Sequence, residues 1–131
     1  MHLKIVTPER VVLDAEVDSV NALAVDGYVG ILPKHVPLVT PLAVGLLEYV
    51  AGGKAKEQVA VMGGVLSTDG REVTVLCDAA ELRGEVDALR AETARKRAEA
   101  LLAQKQESVD VQRARLALAR AMTRMKLAGK K

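Results

Sequence analysis

His35 is the first side chain in the sequence that invites a chemical role. It lies in "GYVGILPKHVPL", residues 27–38, among two glycines and two prolines. A general base needs a partner within hydrogen-bond reach, and a metal site needs several converging ligands. The only other histidine is His2, and no H-E-x-x-H motif or Cys/His cluster occurs. Neither a catalytic set nor a metal site is expected, and His35 reads as a structural or docking residue. Pro33 and Pro37 fix φ, while Gly27 and Gly30 are expected to open turns closed to other residues. A stiff surface loop suits docking, so Gly27, Gly30, Leu32, Pro33, His35, Pro37 and Leu38 form the candidate docking set. Cys77, at the end of "EVTVLC", reads as a buried strand residue, and Met122 and Met125 as packing.

A second stretch, "VDALRA" at residues 86–91, places an acid three positions before an arginine at the mouth of an Ala/Arg-rich segment. Its plain reading is a helix start, with Asp87 as N-cap favoured by the helix dipole. No G-x-x-x-x-G-K-[ST] occurs, which argues against a hydrolytic nucleotide site of the P-loop kind. Residues 108–131 hold seven Lys/Arg and one Asp, enough to attract an acidic protein surface or nucleic acid. The aromatic residues on which single strands stack are missing from that segment.

Two different architectures position these residues. To about Asp78 the apolar period is two, as in "HLKIV", "EQVAVM" and "EVTVL", with turn signals at Asp26-Gly27, Gly52-Gly53, Gly63-Gly64 and Asp69-Gly70. This half predicts a compact antiparallel β-domain of two packed sheets. With no Phe or Trp, and only Tyr28 and Tyr49 as aromatics, its core must be aliphatic. From Glu85 the chain is rich in helix formers, with no proline and no glycine before Gly129. One helix is expected from Asp87 to about Gln104. A second, capped by Ser108 or Asp110, folds back after the short "KQES" connection. In the second helix Val111, Ala114, Leu118, Ala121, Met122 and Met125 predict one apolar stripe, and Arg113, Arg120 and Arg124 a separate exposed basic row.

Charge divides at the same place. Residues 1–78 hold 6 Lys/Arg against 10 Asp/Glu, and the remainder 13 against 7. A lone cysteine permits no internal disulfide, and no apolar run approaches the roughly 20 residues of a membrane-spanning helix, so a soluble chain is expected. Two helices joined by small Ala contacts bury little area, so the hairpin is expected to be conditionally stable, resting on the β-domain or opening toward a partner.

"GYVGILPKHVPLVTPLAVGLLEY", the following strand pairs, and "VDALRA" before an Ala/Arg-rich hairpin resemble, over the whole chain, the epsilon subunit family of the rotary F-type ATP synthase. The resemblance implies a non-catalytic central-stalk role. The β-sandwich would clasp the gamma subunit and rest on the c-subunit ring, coupling proton-driven rotation to synthesis. The hairpin would brake ATP hydrolysis by extending along gamma into the alpha/beta head, its Arg113, Arg115, Arg120, Arg124 and Lys126 meeting an acidic region there. It further implies a regulatory ATP, with or without Mg, bound by a motif in which Val86 stands where Ile or Leu is usual. Val86, Asp87, Arg90 and Ala91 would surround base and ribose with Glu81 nearby, Arg120 and Arg124 would face the phosphates, and Arg97 is a further candidate. The plain reading of the same arginines, a solvated basic face, stays open beside it.

The expected fold class is α+β, an N-terminal antiparallel β-sandwich (1–84, docking) followed by an antiparallel helical hairpin (85–131, regulatory). The expected partners are gamma, the c-ring and the alpha/beta head, with no nucleic acid, at the cytoplasmic face of the membrane and peripheral to it. No cofactor is required. The alternative is a stand-alone nucleotide-sensing or nucleic-acid-binding module using the basic hairpin.

Overall fold

The computed structural model describes residues 1–103 and 111–129. Ten strands come first: β1 (His2–Val6), β2 (Val11–Glu16), β3 (Ser19–Ala24), β4 (Gly27–Ile31), β5 (Leu38–Pro41), β6 (Val44–Val50), β7 (Glu57–Met62), β8 (Val65–Thr68), β9 (Glu72–Leu76) and β10 (Ala80–Leu82). A 3₁₀ turn at Arg83–Glu85 leads to helices α1 (Ala88–Ala103) and α2 (Val111–Leu127). The strands form two five-stranded sheets, ordered β2-β1-β9-β8-β5 and β10-β7-β6-β3-β4. The expected sandwich followed by paired helices is present. Gln104, Ser108, Asp110 and the "KQES" connection lie outside the described residues.

The period-two pattern explains the layers. Leu3, Ile5, Leu66, Val73 and Val75 project from the first sheet, and Val20, Ile31, Leu47 and Val59 from the second, all fully buried between them. Each turn signal contains a glycine at positive φ, and Gly64 shows why a side chain is excluded: a Cβ there would lie 2.2 Å from the Leu76 carbonyl oxygen. One pairing departs from the antiparallel expectation, because β1 lies parallel to β9, Leu3 opposite Val73 and Ile5 opposite Val75. The chain between the two strands runs through β2 to β8, including four of the second sheet's five strands, and such a long crossover is what parallel neighbours require.

At one edge His2 faces two carboxylates of β2. Its Nδ1 meets Glu16 at 2.9 Å and its Nε2 pairs with Asp14. A neutral imidazole donates from only one nitrogen, so this arrangement favours the imidazolium. The hydrogen bond to Glu16, with Asp14 adding to it, raises the His2 pKa, and the same bond lowers that of Glu16. The terminal ammonium is 3.4 Å from Glu16, while Glu72 is the β9 residue opposite His2, and Lys4 follows on β1. A raised folded-state pKa gives stability that is complete below the unfolded value of about 6.5 and lost as pH rises through the folded one. Glu16 adds stability above the usual carboxylate range that is lost in acid. Hydrogen exchange of β1–β2 amides is therefore expected, after correction for intrinsic rates, to lose protection modestly as pH rises above neutrality. His2→Asn should flatten that dependence, and an unchanged slope in the variant would refute it.

The helices pack on each other, and α2 packs on β6 and β7. Asp87 caps α1 as expected, its Oδ1 accepting the Arg90 N–H at 3.0 Å. Ala91 and Ala98 of α1 and Ala114, Ala121 and Met125 of α2 are buried. The single stripe expected on α2 is not what forms. Val111 and Met122 are each 42% exposed, whereas Thr123 and Leu127 are buried on a second face. Leu127, with no exposed area, seats in a patch made by Ala60 and Met62 and rimmed by Val44, Leu46, Ala79 and Val86. α2 therefore ends wedged between α1 and the second sheet.

Candidate functional site

A cleft of about 300 Å³ lies where β10, the start of α1 and the end of α2 meet, lined by Glu81, Glu85, Asp87, Arg90, Ala91, Ala94 and Arg124. β10 delivers Glu81, the 3₁₀ turn Glu85, the first turn of α1 Asp87 and Arg90, and the last turn of α2 Arg124. The Arg124 Nε donates to Glu81 Oε1 at 2.5 Å, tying α2 to the sandwich. Arg10, in the β1–β2 turn, reaches Glu85 at 2.6 Å, and Glu85 also accepts the Leu82 N–H at 2.8 Å. Arg10, with help from the Leu82 N–H, holds the Glu85 carboxyl below its usual range. The Arg83 Nη2 donates to Gln58 at 3.1 Å. The segment between sandwich and helices is thus pinned from both sides.

Of the eight residues expected around a nucleotide, the fold brings five to this cleft: Glu81, Asp87, Arg90, Ala91 and Arg124. Arg97 lines a shallower groove of about 400 Å³ on the outer side of α1, with Leu89 and Thr93, continuous with the cleft through Asp87, Arg90 and Ala94. Val86 turns instead into the patch around Leu127. Arg120 is half-buried and lines neither cavity. The basic row of Arg113, Arg120 and Arg124 expected to be exposed on α2 is therefore divided: Arg113 is exposed, whereas Arg120 and Arg124 are partly covered; Arg115 and Lys126, outside that row, are exposed. The helix turns this row toward the sheet because its C-terminal end docks through Leu127. Sequence reasoning missed Glu85, Arg10 and Leu127, and only "VDALRA" nearby marked the place.

The candidate docking stretch is strand β4, a loop, and the start of β5. Gly27 does take φ 131°, but Gly30 sits in ordinary β4 conformation, and the left-handed residue is Lys34, at φ 70°. The expectation that Gly30 opens a turn fails because the chain there is still paired, Asn21 opposite Gly30. The loop takes its shape from outside itself. Lys34 N–H donates to the Gly70 carbonyl at 2.9 Å, and a Cβ on Gly70 would lie 2.7 Å from the His35 carbonyl oxygen. The His35 ring nitrogen Nδ1 approaches the Val36 carbonyl at 2.6 Å, so the ring braces the loop. Val25, Tyr28, Leu32 and Val36 remain largely exposed around it.

A second surface was not anticipated. On the outward face of the first sheet, register aligns Val11 with Val6, Val6 with Leu76, Leu76 with Val65, and Val65 with Pro41. This apolar row crosses all five strands, about 19 Å at the usual strand spacing. Leu76 is 57% and Val65 42% exposed at its centre. A contiguous apolar band of this kind marks an interaction surface.

Residues 1–83 match the family described as ATP synthase, Delta/Epsilon chain, beta-sandwich domain, and residues 85–129 match its long alpha-helix domain. The chain belongs to the ATP synthase delta/epsilon family. It is similar to the ATP synthase epsilon chain of Moorella thermoacetica, 46% identical over 129 residues, covering 98% of this chain and 96% of the relative. The ATP synthase epsilon chain of Symbiobacterium thermophilum is 47% identical over 130 residues, covering 98% and 93%. Among solved structures, a chain of the Euglena gracilis mitochondrial ATP synthase superposes with a TM-score of 0.79 at 26% identity, covering 92% of this chain and 76% of that one. Membership makes this a central-stalk subunit of the epsilon type in an F-type ATP synthase, not the catalytic subunit. Among the described residues no helix is long and apolar enough to cross a membrane. Cys77 is buried, and burial raises its pKa, which leaves this delta/epsilon chain an unreactive thiol at the end of β9.

Proposed function

We propose that the sandwich couples the gamma subunit to the c-subunit ring, and that the helical pair is a detachable arm that restrains ATP hydrolysis by the alpha/beta head. The observation that carries this reading is the unequal way the two parts are held. The sandwich has a continuous core drawn from both sheets, whereas the helices are fixed to it mainly by the patch around Leu127 and the Glu81–Arg124 pair. A few buried side chains contribute about 1.5–3 kcal/mol each, a gap that partner contacts can overturn. Once released, Arg113, Arg115, Arg120, Arg124 and Lys126 would lie along one mobile helix, ready for an acidic surface. The apolar row suits gamma, and the loop carrying Tyr28, Leu32, Pro33, His35 and Pro37 suits the ring. The Euglena relative, solved within an OSCP/F1/c-ring assembly, supports such partners.

In this reading the chain works peripheral to the membrane at its cytoplasmic face, and the cleft takes ATP, with or without Mg, as a regulatory ligand and not as a substrate. Full-length similarity to epsilon chains favours it over a stand-alone nucleotide or nucleic-acid module. The test is ATP hydrolysis by the reconstituted head with the full chain and with a chain lacking residues 108–131. Hydrolysis should rise severalfold on deletion, and more so at low salt, where charge attraction is strongest. Equal rates would exclude the arm as a brake.

A further inference from the structure

The cleft holds three carboxylates and two guanidiniums, and the carboxylates are committed to different degrees. Asp87 accepts the Arg90 N–H at 3.0 Å and cannot leave without uncapping α1. Glu85 is held by Arg10 at 2.6 Å and by the Leu82 N–H at 2.8 Å, so two separate elements fix it. Glu81 differs. Its side-chain partner among the described residues is Arg124, which itself lines the cleft, at 2.5 Å. The two side chains are only 24% and 30% exposed, so the pair is less screened than one on the open surface. Arg90, the other guanidinium, has no ion pair among the described residues.

We propose that Glu81 is an internal competitor for the phosphate of a nucleotide bound in this cleft, an affinity-setting residue that occupies Arg124 until the ligand displaces it. The inference rests on the reading that the cleft takes a nucleotide. A phosphate arriving there meets a guanidinium whose charge is already neutralised and whose Nε–H is already donated. The apparent affinity of any ligand that needs Arg124 is then reduced by the fraction of molecules in which Arg124 is free. A ligand with no phosphate does not need Arg124 and is not penalised. Exchange of partner also releases the α2–β10 tie, so phosphate binding and the seating of α2 are linked through one side chain.

The test is calorimetric titration of the full chain and of Glu81→Gln with Mg-ATP and, separately, with adenosine. Gln keeps the size and an oxygen acceptor while removing the charge. Glu81→Gln should bind Mg-ATP at least about fivefold more tightly than wild type, a gain that adenosine, which lacks the phosphates, does not share. In an Arg124→Ala background the same change should have no such effect, a cycle that isolates the pair. Should the variant undock α2, the wild-type protein still decides the matter. The Arg124 Nε–H resonance should move away from its Glu81-bonded position as Mg-ATP is added. Equal or weaker ATP binding by Glu81→Gln, or an Arg124 resonance unmoved at saturation, overturns the proposal while leaving nucleotide binding intact. Absence of ATP binding by both proteins overturns the nucleotide reading itself, and the proposal with it.

Discussion

Replacing Leu127 with Asp is expected to separate the helices from the sandwich while leaving the sandwich folded. Leu127 is fully buried, and every residue it seats against belongs to the second sheet, to the loop that enters β10 or to the segment that leads into α1. Truncating a buried Leu costs about 2–5 kcal/mol, and burying an unpaired carboxylate in its place costs more. The Glu81–Arg124 pair, a single partly buried ion pair, cannot offset that loss. Hydrogen exchange should show α2 and the start of α1 losing protection by at least a hundredfold, while β1, β8 and β9 keep theirs. Because undocking no longer has to be driven, the same variant should inhibit hydrolysis by the reconstituted head more strongly than wild type. Unchanged protection of α2 would show that the Ala contacts between the helices, and not this patch, decide where they sit.

Paired substitutions Val65→Asp and Leu76→Asp are expected to cost the chain its hold on gamma. Both side chains point outward on neighbouring strands, directly opposite each other, so the core beneath them is untouched. The centre of an apolar interface usually supplies most of its affinity, and two carboxylates there would be desolvated without partners. Binding to isolated gamma, measured by calorimetry, should weaken by more than a hundredfold while the thermal midpoint of the free chain moves little. The control is Thr74→Asp, one row along on the same face. It should have a much smaller effect, and equal weakening by the control would assign the loss to charge anywhere on the sheet.

The features legible in the sequence are those that depend on near neighbours. Gly27, Gly52, Gly53, Gly63, Gly64 and Gly70 all take the positive φ that their turn dipeptides implied, and Asp87 caps the helix it precedes. Contacts between distant residues were not legible. Arg10 and Glu85 are 75 positions apart, and nothing local to either indicates the other. The apolar row is similarly hidden, since Val11, Leu76 and Val65 are ordinary outward positions until the register, including one parallel pair, sets them side by side. The error on α2 has a chemical cause. Counting apolar residues overlooked Thr123, whose hydroxyl donates to the Ala119 carbonyl at 2.8 Å and so leaves its methyl free to face a buried surface. That residue and Leu127 define a second face, which in turn brings Arg124 to Glu81.

The contact between the docking loop and the β8–β9 turn has a mechanical meaning. Lys34 N–H is bonded to Gly70, and the His35 backbone passes so close to Gly70 that no side chain fits there. A loop anchored only at its own ends bends under sideways load, whereas one braced at mid-span behaves as a strut. Force applied at Leu32 or Pro33 by a turning partner passes through Gly70 into β8 and β9, the strands that carry Val65 and Leu76. The surface proposed to meet the ring and the surface proposed to grip gamma are then two ends of one stiff lever, and the compliance between them is set by a single glycine.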